Sequence, residues 1–307
     1  MMTAFYRLTV RNWKVFAKDR ANLFFALLAP LIVLGLYVLF LGRVQVDGIL
    51  ASLEKMGAAT AEAKNAVQAF CDSWMLVGVT ASAAITVPLC ACGVIIQDKN
   101  RGIAADLLAS PIPRRLPAAS YFCAVVLAGL IVGGAVLVIC FVWLACAGSW
   151  FLTAADVLGC IGTLVLSVLS SSTLLVFLVG FFRSQGAFTG LNVILGTVVG
   201  FLIGAYMPVS YFPAAVQYCT LFIPGTYSAG LLRNLMMRGA LENIAQTVAA
   251  PFGQPFAEAL AEEFTFSFDF FGVATIEPPM MAVILAGCTV LFGALCLATA
   301  ALRRKKG

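Results

Sequence analysis

The sequence predicts an all-α integral membrane protein with six transmembrane helices. Of the 307 residues, 62% are hydrophobic and 11% are charged, and the mean hydropathy is +1.01. This composition is too poor in polar residues for a water-soluble globule, and nothing in it indicates a separate soluble domain. Six apolar runs are long enough to cross a hydrocarbon core, which needs about 20 helical residues. These runs are residues 23–41, 74–96, 119–147, 155–182, 187–207 and 280–302.

Basic residues are distributed unevenly between the two sides that six spans define. One side receives the N-terminus, residues 97–118, residues 183–186 and the C-terminus, and it carries 14 of the 19 Lys and Arg. Because short cytoplasmic loops are enriched in Lys and Arg, we predict a multi-pass protein of the cell (plasma) membrane with both termini in the cytoplasm. The net charge of +5 follows from this topology and is no argument for nucleic-acid binding.

The residues before the first span predict a helix, over about residues 3–20, that lies on the membrane surface. Four basic residues fall on one helical stripe, and four apolar residues fall on the opposite face. The basic set is Arg7, Arg11, Lys14 and Lys18, and the apolar set is Phe5, Leu8, Trp13 and Phe16. Such a helix suits the interface with anionic headgroups. The alternative is a plain orientation signal made of positive charge, and the regular spacing favours the helix.

A short polar loop, residues 97–115, lies between the second and third apolar runs. It combines a polar turn at Arg101-Gly102, a short helical pattern and a proline stop at Ser110-Pro111. A segment of this kind, held between two membrane spans, is suited to contact by a partner outside the membrane.

Two regions on the other side of the membrane differ in length. The first, residues 42–73, predicts a loop that contains a short helix. The second, residues 208–279, begins with an apolar stretch that is too short to cross the membrane and return, which predicts an external re-entrant hairpin. A Phe-rich segment follows, in which four phenylalanines alternate with other residues, as in a strand. They are Phe264, Phe266, Phe268 and Phe270. Three interpretations stay open: a segment that contacts lipid, a partner or a cationic substrate, a lid over a gap between two membrane subunits, or a small lid that packs its own phenylalanines.

The spans carry patterns that predict how they pack. Glycines recur every four residues at Gly196, Gly200 and Gly204, and again at Gly129 and Gly133, which favours close helix packing. We expect Pro30 and Pro88 to bend the first and second spans. The cysteines match no zinc or redox motif, although Cys71 and Cys219 both lie near the outer face and are candidates for a disulfide.

Catalytic chemistry and a nucleotide site are not indicated. The chain has no histidine and no Gly-x-x-x-x-Gly-Lys-Ser/Thr loop. The clearest charge within a span is Asp156, near the start of the fourth run, and the other polar residues of the spans are neutral. Their hydroxyls usually bond to their own helix; the alternative is a mildly polar translocation path. Candidates for that path are Thr80, Thr86, Asn192 and Thr197.

The loop at residues 97–115 resembles the signature of the permeases of ABC type-2 exporters, which are ABCG-like, six-span half-transporters. In that family an acidic-Lys-x-Arg-Gly-Thr-Leu-Glu-x-Leu-Leu-x-Ser/Thr-Pro string forms the coupling helix. The matching positions are Asp98, Lys99, Arg101, Gly102, Leu107, Leu108, Ser110 and Pro111. Ile103 stands where the family often has Thr, and Ala105 stands where it has Glu, with Asp106 one position later.

A second stretch resembles the same family. Residues 207–213 are similar to its Pro-containing outer turn, and residues 223–227 are similar to its Asn-Pro-x-x-Tyr motif, with Ile223 in place of Asn. Leu232-Arg233 is similar to the Leu-Arg ending of that pattern. The Phe-rich segment, at about residues 240–279, resembles an insertion before the last span.

The resemblance implies one permease domain, residues 1–307, without an ATPase site of its own. Residues 1–22 would be the connecting helix, residues 97–118 the coupling loop and residues 208–279 the external region with the Phe-rich insertion. The residues expected to couple to an ATPase are Asp98, Arg101, Gly102, Asp106, Leu107, Leu108, Ser110 and Pro111.

The implied partners are a separate ABC ATPase subunit, which would bind ATP and Mg, a second permease in a homo- or heterodimer, and membrane lipid. The implied function is export of a hydrophobic or amphipathic substrate, such as a drug, antibiotic, peptide or lipid-linked molecule, from a bacterial cell. The alternatives are an ion- or proton-coupled secondary transporter and a membrane immunity protein that does not pump.

Overall fold

The computed structural model describes residues 2–58, 60–113, 115–182, 184–248 and 252–305. This part of the chain is mostly helical, and six of its helical segments are long and apolar enough to cross a membrane, which confirms the predicted number of spans. The spans are Arg20–Lys55, Ala61–Asn100, Arg115–Cys146, Ala154–Val179, Gln185–Leu202 and Pro278–Thr299.

The helices follow one another with short connections. The first half of the chain forms α1 (Met2–Lys18), α2 (Arg20–Leu36), a π-helical turn (Tyr37–Leu41), α3 (Gly42–Lys55), α4 (Ala61–Ala91), α5 (Gly93–Asn100), α6 (Ile103–Ala109) and α7 (Arg115–Cys146). The second half forms α8 (Ala154–Val179), α9 (Gln185–Leu202), α10 (Ala214–Thr220), α11 (Pro224–Met236), α12 (Arg238–Thr247), α13 (Gly253–Glu263), β1 (Phe268–Phe270), β2 (Ala274–Ile276) and α14 (Pro278–Lys305).

The prediction of a loop at residues 42–73 is wrong. Helix α3 continues from α2 through the π-helical turn, and α4 begins at Ala61, so the two helices are separated only by residues 56–60. The reason is an apolar stripe on α3, whose members Val46, Ile49 and Leu53 are buried in one cluster with residues of α4. This burial extends both helices well beyond the runs of highest hydropathy.

Helix α4 is the centre of the bundle. Every residue from Ala69 to Ala91 is buried, and α4 contacts α2, α7, α8, α9 and α11. The spans around it keep exposed apolar faces, for example at Phe24 and Phe25 of α2 and at Val283 of α14. In a membrane protein such faces are covered by lipid or by another subunit, so this pattern agrees with a multi-pass membrane protein.

The bundle has two ends. We call one end the α1 side, because α1, α5, α6 and the turn before α9 meet there: Arg11 of α1 pairs with Asp98 of α5, and Lys99 donates to the Phe182 carbonyl at 3.5 Å. We call the other end the hairpin side, after the β-hairpin that strands β1 and β2 form there. It contains residues 147–153, 203–248 and 252–277, and it includes the salt bridge between Arg238 and Asp156 at 3.2 Å.

Glycine packing differs between the two predicted stripes. A Cβ at Gly129 would lie 2.6 Å from a Val168 methyl group, and one at Gly133 would lie 3.3 Å from Leu164, so the third span approaches the fourth closely, as predicted. In the fifth span, Gly196 has open space around it, whereas a Cβ at Gly200 would overlap the Tyr206 ring. In the fifth span, Gly200 therefore packs against Tyr206, which lies just after the end of the same helix, and not against another span.

The Phe-rich segment packs into the protein. Phe264 follows α13 and meets the rings of Phe70 and Trp74 of α4 edge-on, with centroids 5.0 and 5.8 Å away. The strand predicted over residues 264–270 is confirmed only for Phe268–Phe270, which pairs antiparallel with Ala274–Ile276. The predicted alternation therefore reflects two surroundings, the helical core for Phe264 and a small hairpin for Phe268.

All ten cysteines are free thiols. Cys71 is buried in the core around α4, whereas Cys219 is exposed on α10, so the candidate disulfide between them is not formed. The remaining thiols fall mostly within spans, where they pack as small apolar groups.

Candidate coupling site on the α1 side

Helix α6 forms where the sequence predicts a short helix in the loop. Gly102 has a φ of +79°, a left-handed conformation that turns the chain sharply between α5 and α6 and that glycine adopts without steric cost. The Gly102 carbonyl then accepts the first helical bond of α6, from the Asp106 N–H at 3.1 Å. At the other end, the Ser110 hydroxyl donates to the Leu107 carbonyl at 2.6 Å, and Pro111 follows. Glycine and proline thus set the two ends of α6.

The loop presents much of its surface outward. Arg101, Asp106 and Pro111 are exposed, and Leu107 is half-buried. Leu108 lies in α6 by its backbone, and its side chain lies outside the described part of the structure. The loop therefore offers two charged groups and the face of a short helix at one end of the bundle.

Asp98, the first matched position of the loop, points inward. Its side chain is almost fully buried, and both carboxylate oxygens accept from the Arg11 guanidinium, with Nη2 to Oδ1 at 2.9 Å. The Tyr121 hydroxyl of α7 donates to Oδ2 at 2.6 Å. We call this arrangement the Arg11–Asp98–Tyr121 cluster. It joins α1, α5 and α7 through charge-assisted hydrogen bonds, which are the stronger class.

Arg11 consequently departs from the basic stripe that the sequence predicts for α1. Arg7, Lys14 and Lys18 are exposed, whereas Arg11 is half-buried, and the hydrogen bond to Asp98 raises the pKa of its guanidinium above the ordinary value. The adjacent Asn12 is buried and donates to the Ser120 hydroxyl of α7 at 3.2 Å. One side of α1 is therefore held by hydrogen bonds to Asp98, where the loop begins, and to Ser120 of α7.

The four candidates for a translocation path lie in different surroundings. Thr80 and Thr86 are buried: Thr80 donates to the Cys140 sulfur of α7 at 3.5 Å, and Thr86 donates to the Ala26 carbonyl of α2 at 2.7 Å. Asn192 is half-buried beside Cys90, and only Thr197 is exposed, with its hydroxyl donating to the Val193 carbonyl of its own helix at 2.8 Å. The structure thus does not bring the four onto one open surface of this chain.

Comparison with known proteins identifies the family. The sequence model described as "ABC-2 type transporter" matches residues 3–237, which run from α1 through α11 and include the whole of α6. The chain belongs to the ABC-2 type transporter family. A search of curated proteins gives no match. The family model ends where α12 begins, so the Phe-rich segment lies beyond the family pattern.

The ABC-2 match makes this protein an ABC-type transmembrane permease. Its sequence pattern ends near Arg233, and the structure gives that residue a contact set that sequence analysis did not predict. The guanidinium is buried and donates to the Ile203 carbonyl at 2.6 Å and to the Thr265 hydroxyl at 2.7 Å, with longer bonds to the Gly204 and Thr265 carbonyls. Arg233 therefore joins the end of the fifth span, α11 and the Phe-rich segment. The sequence feature that could have indicated this buried role is a single arginine in an otherwise apolar helix.

The burial of a second carboxylate, on α4 of the permease, was also not predicted from the sequence. Asp72 accepts hydrogen bonds from the Tyr37 hydroxyl at 2.9 Å, from Gln68 at 2.9 Å and from the Ser149 hydroxyl at 3.2 Å. Sequence analysis started the second span at Trp74, which left Asp72 in a loop. Gln68 and Asp72 at helical spacing, next to an apolar run, were the signal. Tyr37 begins the π-helical turn, a feature that is often found at functional sites.

Proposed function

We propose that this ABC-2 permease is the membrane subunit of an ATP-driven exporter. In this proposal a separate ATPase subunit binds ATP and Mg and grips α6, and a second permease, of the same or a sister chain, completes the path. The observation that carries the proposal is the coupling loop: an outward-facing short helix whose base is fastened to α1 and α7 by the Arg11–Asp98–Tyr121 cluster.

The described contacts supply a route from the loop to the membrane. Helix α5 follows α4 after one break at Cys92, four residues after Pro88, so a displacement of α6 reaches the most buried helix of the bundle directly. Helix α1 would move with it, because Arg11 holds Asp98. We assign Asp98 a positioning role in this lever, and we assign ATPase contact to Arg101, Asp106, Leu107 and Leu108.

The remaining loop residues have structural roles in the proposal. Gly102 allows the sharp start of α6, whereas Ser110 and Pro111 end it. Helix α1 would lie at the cytoplasmic interface with Arg7, Lys14 and Lys18 toward anionic headgroups, in agreement with their exposure. On the hairpin side, α10 and α11 would form a re-entrant pair, which is supported by the burial of every residue from Pro224 to Arg233.

The surfaces of the first and fifth spans support a hydrophobic or amphipathic substrate. Both spans have exposed, uncharged faces that two permeases could bring together. These faces include Phe24, Phe25 and Ile32 of α2 and Val193, Ile194 and Val198 of α9. Thr197 is the polar candidate that lies on this surface. Apolar walls of this kind do not replace the hydration shell of a free ion.

The coupling proposal predicts that Leu108→Asp leaves the permease inserted but separates it from its ATPase. A charge at this position should oppose burial of α6 in an apolar groove of the partner. Transport and co-purification of the ATPase are measured at equal amounts of permease in the membrane. Met56→Asp is the matched control, because Met56 is an exposed apolar residue in the turn between α3 and α4, at the other end of the bundle. Normal transport and normal ATPase binding in Leu108→Asp would refute the coupling role.

Orientation is tested separately by cysteine labelling. In a Cys146→Ser/Cys219→Ser background, which removes the two exposed thiols, Ser52→Cys and Glu242→Cys should react with a membrane-impermeant maleimide in intact cells. Arg101→Cys should react only after the membrane is opened, because the basic α1 side is expected in the cytoplasm. The opposite labelling pattern would show that the termini lie outside.

A further inference from the structure

The hairpin before the last span ends in an unusual turn. Phe271 and Gly272 both have positive φ angles, 54° and 70°, and the Val273 N–H donates to the Phe270 carbonyl at 2.9 Å. The Asp269 carboxylate accepts from the Gly272 N–H at 3.1 Å, which further fixes the turn. A turn of this type favours Asn or Gly at its first central position, because a bulky side chain is strained there.

Aromatic side chains gather around this turn. The ring of Phe271 stacks on Tyr218 of α10 with a centroid distance of 4.4 Å and an interplanar angle of 18°. Phe270 and Phe222 contact the same ring edge-on, at 5.1 and 6.4 Å. We call Tyr218, Phe222, Phe270, Phe271 and Val273 the aromatic tip.

The aromatic tip is not a core. Phe222 is 76% exposed, Val273 is 82% exposed, and Phe270 and Phe271 remain over 40% exposed. A left-handed conformation is sterically unfavourable for a residue other than glycine. Packing within the chain leaves much of the Phe271 ring uncovered, so a surface outside this chain is the natural cover for the apolar face of the tip.

Chain connectivity places the tip near the membrane surface. Helix α14 begins at Pro278, six residues after Gly272, and six extended residues reach at most about 20 Å. The first turns of α14 already expose Met280 and Val283, so the apolar surface of the tip continues toward the outward faces of the last span. That span packs on α8 and α11, which leaves its other faces free for lipid.

Charge is distributed as an interfacial position requires. The seven residues from Phe270 to Ile276 contain no charged side chain, and the nearest charges, Asp269 and Glu277, are exposed at the base of the hairpin. Tyrosine is enriched at the boundary between headgroups and acyl chains, and phenylalanine is common on apolar faces that enter that boundary, so an uncharged turn with these residues suits it.

We propose that the aromatic tip inserts into the headgroup layer of the bilayer and anchors the hairpin side of the permease beside its last span. This function does not depend on the substrate or on coupling to an ATPase. The surface that it binds is lipid rather than a second protein chain.

The test uses a fluorescent NBD label on Val273→Cys in the Cys146→Ser/Cys219→Ser chain, reconstituted in phosphatidylcholine nanodiscs. We expect a headgroup spin-labelled lipid to quench this label several-fold more than it quenches the same label on Glu258→Cys, an exposed position of α13. Aqueous iodide should show the reverse order. Equal quenching at the two positions overturns the proposal. Protection of position 273 from both quenchers, with crosslinking to a second copy, also overturns it.

A second variant separates anchoring from packing. Phe271→Asn keeps a residue that tolerates the left-handed turn, so the Tm in detergent should be unchanged or higher. Lipid quenching of the label at position 273 should fall several-fold, because the central ring of the tip is gone. A lower Tm with unchanged lipid quenching would show that Phe271 serves internal packing, and the proposal would then be wrong.

Discussion

Replacing Arg233 by Met is expected to destabilise the hairpin side of the permease strongly. Methionine has a similar length but no donors, so the Ile203 carbonyl loses a buried hydrogen bond, and the Thr265 hydroxyl and carbonyl lose part-buried ones. A buried polar group left without a partner costs about 1–3 kcal/mol, and the part-buried Thr265 groups add less than that each, so we expect a loss of about 3 kcal/mol in the free energy of unfolding. The loss should separate the end of the fifth span from the Phe-rich segment.

The measurement is the Tm of the detergent-purified permease, together with tryptophan fluorescence. Trp74 reports on the affected region, because its ring contacts Phe264, which lies next to Thr265. Arg43→Met is the matched control, since Arg43 is exposed on α3 and its loss should change the Tm little. If Arg233→Met melts at the wild-type temperature, the guanidinium does not join these segments.

Replacing Arg11 by Met is expected to break the Arg11–Asp98–Tyr121 cluster and to weaken coupling. The change leaves a buried carboxylate with the Tyr121 hydroxyl as its remaining donor in the cluster. Breaking a fully buried charge pair lowers the free energy of unfolding by about 3–5 kcal/mol. Because 34% of the Arg11 side-chain surface is exposed, we expect a smaller loss of about 2 kcal/mol. Under the coupling proposal, transport should fall further than protein abundance, because α1 would no longer move with residues 97–115.

A double-mutant cycle distinguishes a lost charge pair from lost packing. In Arg11→Met/Asp98→Leu the uncompensated carboxylate is removed, so part of the stability should return while transport stays low. Lys14→Met, an exposed residue of the same helix, should keep both properties. If the double variant is as unstable as the sum of its single variants, the two side chains act independently and the cluster has no lever role.

The features that could be predicted from the sequence are those that depend on residues close to one another along the chain. Hydropathy located six spans, because about 20 consecutive apolar residues satisfy the membrane core without tertiary partners. Gly102 and Ser110-Pro111 located α6, because a left-handed turn and a proline stop are local backbone properties, and both are present in the structure. The family resemblance also rested on this short string, and the match over residues 3–237 agrees with it.

Only the tertiary structure decided what the buried polar residues do. Asp98 and Arg11 are 87 positions apart, and Arg233 and Thr265 are 32 apart, so no local periodicity links them. The same limit explains the first loop: α3 and α4 extend because Val46, Ile49 and Leu53 find apolar partners across the turn. Phe264 is buried and Phe271 is exposed although both stand in one Phe-rich run. Burial depends on which helices pass nearby, and that is a property of the assembled bundle rather than of the local sequence.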